Sequence, residues 1–126
     1  MSAWGFAPWD NDSAADWYGE LFDRIPLAAR VEEAFNADPE LYAEEIRAAS
    51  ALLIMLGRTF IWPIDDLDRH LSLAILTMEK VQSMYAHEPK LASAVAEEIA
   101  LLKSRLANNN TVAVVPQPTS WGNFWS

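Results

Sequence analysis

The segment from Trp4 to Trp17 constrains the fold more strongly than any other part of the sequence. It combines four aromatic residues with Asp and Asn side chains of the kind that commonly start helices. We therefore predict a helix that begins at Asn11 or Asp12 and ends near Asp23. Its apolar positions are spaced by three and four residues, which predicts one buried stripe: Ala14, Trp17, Tyr18 and Leu21.

The aromatic residues that precede this helix are suited to a structural role. Trp4, Phe6 and Trp9 come just before the predicted start and can fold back on the helix as an enlarged hydrophobic staple. Aromatic residues near a helix are usually part of a core. The residues assigned to this structural motif are Trp4, Gly5, Asn11, Asp12, Asp16 and Trp17.

A two-part motif opens the chain: Trp4-Gly5, then Asn11-Asp12-x-Ala14-x-Asp16-Trp17. This motif resembles the opening of a bacterial family catalogued as domain of unknown function 4259. The chain departs from the family pattern at Ser2 and Ala7, where the family favours glycine, and at Trp9, where it favours phenylalanine. The resemblance covers residues 2–22. It implies a small helical domain with no established activity, and so it supplies no catalytic residues.

The rest of the sequence predicts an all-α, single-domain bundle of about five helices. Prolines and acidic N-cap residues indicate where the helices start, and the apolar stripes indicate how long the helices are. The later helices are predicted over 26–37 with Asp23 as cap, over 39–56 with Asp38 as cap, from Asp65 or Asp66 to about Tyr85, and over 89–107. The stripe of the third helix includes Tyr42, and the apolar connector at residues 60–64 is expected to pack across the core.

The last part of the chain differs in composition from the helical domain, which we place at residues 1–107. Residues 108–126 predict an extended tail with an aromatic end, Trp121 to Trp125. A tail this apolar is expected to dock on its own helices or on another chain.

The acidic residues are concentrated at one end of the sequence. The net charge is -9, and residues 1–45 contain eleven acids against only Arg24 and Arg30. Such a surface repels nucleic acid and anionic membranes and attracts a basic protein partner. The alternative interpretation is a surface that serves solubility alone. Because the chain shows neither a signal peptide nor a membrane-spanning run, we predict a cytoplasmic protein.

The sequence gives no support for catalysis or for a cofactor. The chain has no cysteine, which rules out disulfides and thiolate chemistry. The acids around Asp12 lack the glycine and the final glutamate of a calcium loop, and capping explains them better. Asp65, Asp66, Asp68 and His70 form a polar cluster at a helix start, and we interpret His70 as a surface or cap histidine.

These observations favour a non-catalytic acidic protein that binds a basic partner, such as an inhibitor or immunity-type protein acting on a bacterial toxin domain. The alternatives are a homodimer or other homo-oligomeric module built through the tail and, less favoured, a small enzyme using the cluster at residues 65–70. The expected partner-binding residues are Asp23, Glu32, Glu33, Asp38, Glu40, Glu44, Glu45, Trp62, Trp121 and Trp125.

Overall fold

The structure, a computed structural model, describes residue 8 and residues 11–110. The described residues form five α-helices joined by short connections. They are α1 (Asp12–Arg24), α2 (Leu27–Phe35), α3 (Pro39–Leu56), α4 (Ile64–Met84) and α5 (Pro89–Asn110). The prediction of an all-α bundle is confirmed.

Local sequence signals account for two of the helix starts. Asn11 caps α1, and its side-chain oxygen accepts a hydrogen bond from the backbone N–H of Ala14 at 2.8 Å. Asp38 caps α3 by accepting from the backbone N–H of Glu40 at 3.0 Å, and Pro39 occupies the first turn. The bounds of α3 agree with the prediction at both ends.

Three helix ends differ from the prediction. Asp23 does not cap α2, which follows Pro26 without a side-chain cap. Helix α4 begins at Ile64, so Asp65 and Asp66 lie in its first turn, where the helix dipole favours carboxylates, and neither is its cap. Helix α5 continues to Asn110, beyond the predicted end near residue 107.

Helix α4 lies at the centre of the bundle. Its most extensive contacts are with α5 and α3, and it also packs against α2. The spacing of its apolar residues by four and three predicts a buried stripe of Leu67, Leu71, Ala74, Met78, Val81 and Tyr85. The first five are almost fully buried, whereas Tyr85 is half-buried and follows the last residue of α4. The short interval between the fourth and fifth helices predicts an antiparallel pair, and the extensive contact between α4 and α5 agrees with it.

The predicted stripe of α1 is wrong at its largest residue. Trp17 is 59% exposed, and α1 has no fully buried residue among those described. The other members of the predicted stripe, Ala14, Tyr18 and Leu21, are half-buried. The α1 side chain that packs against the core is Phe22, whose ring meets Trp62 edge-on.

Tyr42 is a second correction. It was predicted to face the core from α3, but it is 46% exposed. Its backbone is non-helical, with φ -126° and ψ 29°, so the first turn of α3 is offset from the rest of the helix. The buried part of α3 begins at Ile46.

The segment between α3 and α4, residues 57–63, is called the connector from here on. The apolar stretch predicted to pack across the core, residues 60–64, is only partly buried. Ile61 and Trp62 lie in the core, as expected, whereas Phe60 and the following Ile64 are 51% and 65% exposed. Phe60 has φ 75°, a left-handed conformation that a bulky residue rarely adopts. This backbone turn lets neighbouring apolar residues face opposite directions.

The predicted aromatic staple at Trp4, Phe6 and Trp9 lies outside the described residues. The extended tail was predicted to begin at residue 108, which is wrong for residues 108–110, because they continue α5. The rest of that prediction, residues 111–126, lies outside the described residues. In the part of the chain that the structure does describe, no helix has the length and apolar character needed to cross a membrane.

Candidate protein-binding site

A broad groove lies between α3 and the turn that joins α4 to α5. We call it the acidic groove; it has a volume of about 850 Å³. Its apolar side chains include Leu41 and Ile54 from α3, Met84 from the end of α4 and Leu91 from the start of α5. Because Leu41 is 73% exposed, an apolar group remains available at the edge of this groove.

Two carboxylates from the opening of α3 line the acidic groove. Glu40 and Glu44 are both exposed, and among the described residues neither has an ion-pair partner. Because both carboxylates line the same groove, their negative charges repel each other. A cation bound between the two would relieve that repulsion.

The basic side chain inside the acidic groove is already neutralised. The guanidinium of Arg47 binds the carboxylate of Glu98 through two parallel hydrogen bonds, Nε to Oε1 at 2.8 Å and Nη2 to Oε2 at 2.7 Å. The hydrogen bonds to Glu98 raise the pKa of Arg47 above its usual value. This pair joins α3 to α5 and leaves Glu40 and Glu44 as the net charge of the acidic groove.

The other predicted contact acids are distributed elsewhere. Glu33 is exposed and pairs with Arg30 at 2.9 Å within α2. Asp38 caps α3, and Glu45 is exposed on α3 outside the groove lining. Asp23 lies at the edge of a different groove, beside α1.

Glu32 belongs to a hydrogen-bonded network around His70. The indole N–H of Trp62 donates to His70 Nδ1 at 3.0 Å, and His70 Nε2 lies 2.7 Å from Glu32 Oε1. Because the indole N–H can only donate, Nδ1 must be the acceptor and Nε2 carries the proton given to Glu32. Arg69 also donates to Glu32, and Asp66 binds Arg69 in turn. Hydrogen bonds from His70 and then from Arg69 lower the pKa of Glu32 below its usual value of 4.5.

The prediction of a surface or cap histidine is wrong, because His70 is 1% exposed. Its imidazole faces the connector and α2 while the exposed Asp65 and Asp68 lie apart from it, so the polar cluster at residues 65–70 does not converge on one point. The single acceptor nitrogen of His70 is occupied by Trp62, which argues against a role as general base.

Trp62 was also predicted to contact a partner, which requires an exposed side chain. It is 2% exposed, and its ring packs edge-on against Phe22 with centroids 5.2 Å apart. We therefore leave Trp62 out of the contact surface considered below. Trp121 and Trp125, also predicted to contact a partner, lie outside the described residues.

Two residues of the acidic groove, Arg47 and Glu98, were not singled out as site residues from the sequence. They are 51 positions apart, and their pairing depends on how α3 meets α5. No local spacing signals such a contact. Within the ranges that the structure describes, no three His, Asp or Glu side chains are grouped so as to hold a metal ion.

In comparisons with known proteins, no family model, no curated protein and no solved structure matches this chain. The resemblance of residues 2–22 to the family of unknown function stays a prediction.

Proposed function

We propose that this protein is a non-catalytic binding protein whose acidic groove takes a basic segment of a partner protein. An inhibitor or immunity-type role, neutralising a basic bacterial toxin domain, fits this proposal best. The observation that carries it is the acidic groove itself, in which the carboxylates of Glu40 and Glu44 stand beside apolar side chains and have no ion-pair partner among the described residues.

The charge distribution supports binding of a cationic partner. The net charge of -9 arises within the first 45 residues, which contain α1, α2 and the opening of α3. A field of one sign speeds the encounter with an oppositely charged protein. The contact itself would then be held by a few well-packed groups, and Leu41 supplies an apolar one.

The shape of the acidic groove suggests the form of the partner segment. An amphipathic helix can lay an apolar face into a groove between helices while its charged residues meet the rim. Lys or Arg on such a segment would lie near Glu40 and Glu44, and its apolar residues near Leu91 and Met84. The partner predicted here is a basic amphipathic segment, and the proposal places no nucleic acid or membrane in this groove.

Affinity capture with matched charge variants tests this function. The full chain is immobilised as the natural sequence, as Glu40→Lys/Glu44→Lys, and as Asp65→Lys/Asp68→Lys, and each is exposed to extract from the native host. The second double variant makes the same change in charge at exposed positions outside the acidic groove. Circular dichroism establishes that all three are folded.

We expect a basic protein to be retained by the natural sequence and by the control, and lost from the groove variant. Retention should also weaken as salt rises, because the screening length falls from about 10 Å at 0.1 M to about 3 Å at 1 M. Equal capture by both double variants would remove the acidic groove from the function. Recovery of no partner at any salt concentration would count against a binding role altogether.

A further inference from the structure

A second groove lies between α1 and the connector, beside the contact of Phe22 with Trp62. We call it the aromatic groove; its volume is about 320 Å³. Gly19 and Phe22 line it from α1, and Trp62 and Ile64 line it from the other side. This volume lies at the lower end of the range for small-ligand pockets, roughly 300–1,000 Å³, which suits one or two aromatic side chains.

Gly19 keeps the aromatic groove open. A glycine inside a helix weakens it by roughly 0.5–1 kcal/mol relative to alanine. A Cβ atom built at Gly19 would meet nothing within 4 Å, so close packing within the described residues does not require the glycine. The missing side chain instead leaves room in the wall of the groove.

Helix α5 runs back along α4, to which the short turn at residues 85–88 joins it. Its C-terminal end therefore points toward the end of the bundle where α4 begins at Ile64, a residue that lines the aromatic groove. Helix α5 thus ends toward this groove and not away from it.

The segment that follows α5 has the length and composition to fill the groove. Between Asn110 and Trp121 an extended chain can span about 35 Å. Residues 111–126 carry no charged side chain and contain Trp121, Phe124 and Trp125. An uncharged aromatic segment suits a groove whose charged member is Asp23, whereas the segment before α1 carries Asp10.

We propose that the aromatic groove between α1 and the connector is the docking site for the tryptophan-containing end of the same chain, residues 121–125. A short tether gives the tail an effective concentration in the millimolar range, which favours docking within one chain over docking on a second copy. The docked tail would cover the side chain of Ile64, which is 65% exposed.

Paramagnetic NMR on the full chain tests this site. Because the chain has no cysteine, Ser120→Cys accepts a single nitroxide label next to Trp121. In a ¹⁵N-labelled sample we expect the amide signals of Gly19 and Ile64 to be lost and to return when the nitroxide is reduced. The signal of Lys90, at the far end of α5, should persist.

Two variants at one position provide the matched control. Gly19→Leu places a side chain in the aromatic groove and should restore the Ile64 signal. Gly19→Ala strengthens the helix but leaves most of the space open, so the Ile64 signal should stay lost. The ¹⁵N spectrum of each variant reports that the bundle is folded.

Each remaining outcome would overturn the proposal. Retention of both signals would show that the tail does not dock in this groove. A second sample mixes a ¹⁴N chain that carries the nitroxide with a ¹⁵N chain that has none. Signal loss in this sample alone would show that the tail of a second copy occupies the groove, and would support the homo-oligomeric alternative. Signal loss from a label at Ser2→Cys and none from Ser120→Cys would make the N-terminal segment the occupant.

Discussion

Helix α1 lies at the edge of the core and helix α4 at its centre, although both carry apolar residues at helical spacing. Helix α1 follows an aromatic stretch at residues 4–9 and itself contains Trp17, Tyr18 and Phe22, yet none of its residues is fully buried. Helix α4 contains no Phe, Trp or Tyr. It has seven buried residues, and two of these, His70 and Thr77, are polar. Aromatic density therefore does not identify the central helix of this protein.

The difference follows from how many neighbours each helix has. Helix α4 packs against α2, α3 and α5, so almost every position of its stripe meets another element. Helix α1 meets the bundle chiefly through Phe22, which contacts Trp62. A periodic stripe is buried to the extent that other elements cover it.

The largest expected effect is a difference in stability between two Trp→Ala variants, one at Trp62 beside α4 and one at Trp17 on α1. Trp62→Ala removes a fully buried ring beside α4 and should lower the free energy of unfolding by about 3–5 kcal/mol. Trp17→Ala on α1 should change it by no more than about 0.5 kcal/mol, as for an ordinary surface substitution. Urea denaturation of both variants measures the two values, and similar losses would contradict the placement of α1 at the edge of the fold.

A smaller effect is expected at His70, the buried polar residue of α4. His70→Phe keeps an aromatic ring but leaves the indole N–H of Trp62 without its acceptor, which should cost roughly 1–3 kcal/mol. The proton resonance of that indole N–H should shift at the same time. His87→Phe, at an exposed position, is the control. A variant at residue 70 as stable as the natural protein would mean that the network contributes little.

The smallest effect concerns the pH dependence of the same network. Folding lowers the pKa of Glu32, so the Glu32 carboxylate binds a proton more readily in the unfolded chain than in the folded one. The free energy of unfolding therefore rises with pH between the lowered folded pKa and the usual value of 4.5. The contribution of Glu32 is complete above pH 4.5 and is lost as the pH falls through the lowered folded value. The stability gap between the natural protein and Glu32→Gln should therefore shrink under acid conditions.

Denaturant titrations from pH 3 to pH 7 measure that gap. Glu33→Gln removes a neighbouring carboxylate that pairs only with Arg30 among the described residues, and it serves as the control for a loss of charge. A gap for Glu32→Gln that stays constant over this range would separate Glu32 from the pH response. Part of the effect is expected to be screened, because the Glu32 side chain is 34% exposed.

Much of the fold could be predicted where the signals are local. Asp38 and Pro39 lie at the start of α3 and Gly57 directly follows its end, and the structure agrees with both predicted bounds. Caps and proline positions depend on the backbone of a single turn, so the sequence carries them directly. The stripe of α4 was predictable for a different reason, because the spacing of its apolar residues follows the helical period.

The candidate site could be predicted only in part. The acidic character of α3 at Glu40 and Glu44 was visible from composition, but the groove exists because α3 meets the α4–α5 turn, which brings Arg47 to Glu98. His70 was misplaced for a related reason. Its neighbours in sequence are acidic and exposed, and its partners come from the connector and α2.

The break in α3 at Tyr42 separates the edge of the acidic groove from the packed part of the helix. Glu40 and Leu41 stand on a single turn before this break, while the first fully buried side chain of α3 is Ile46. That turn is joined to Asp38 by the side-chain cap and by backbone hydrogen bonds from Leu41 and Tyr42. In the function proposed above, a change in the direction of this turn would move the exposed leucine and the first carboxylate together and leave the buried residues from Ile46 onwards in place.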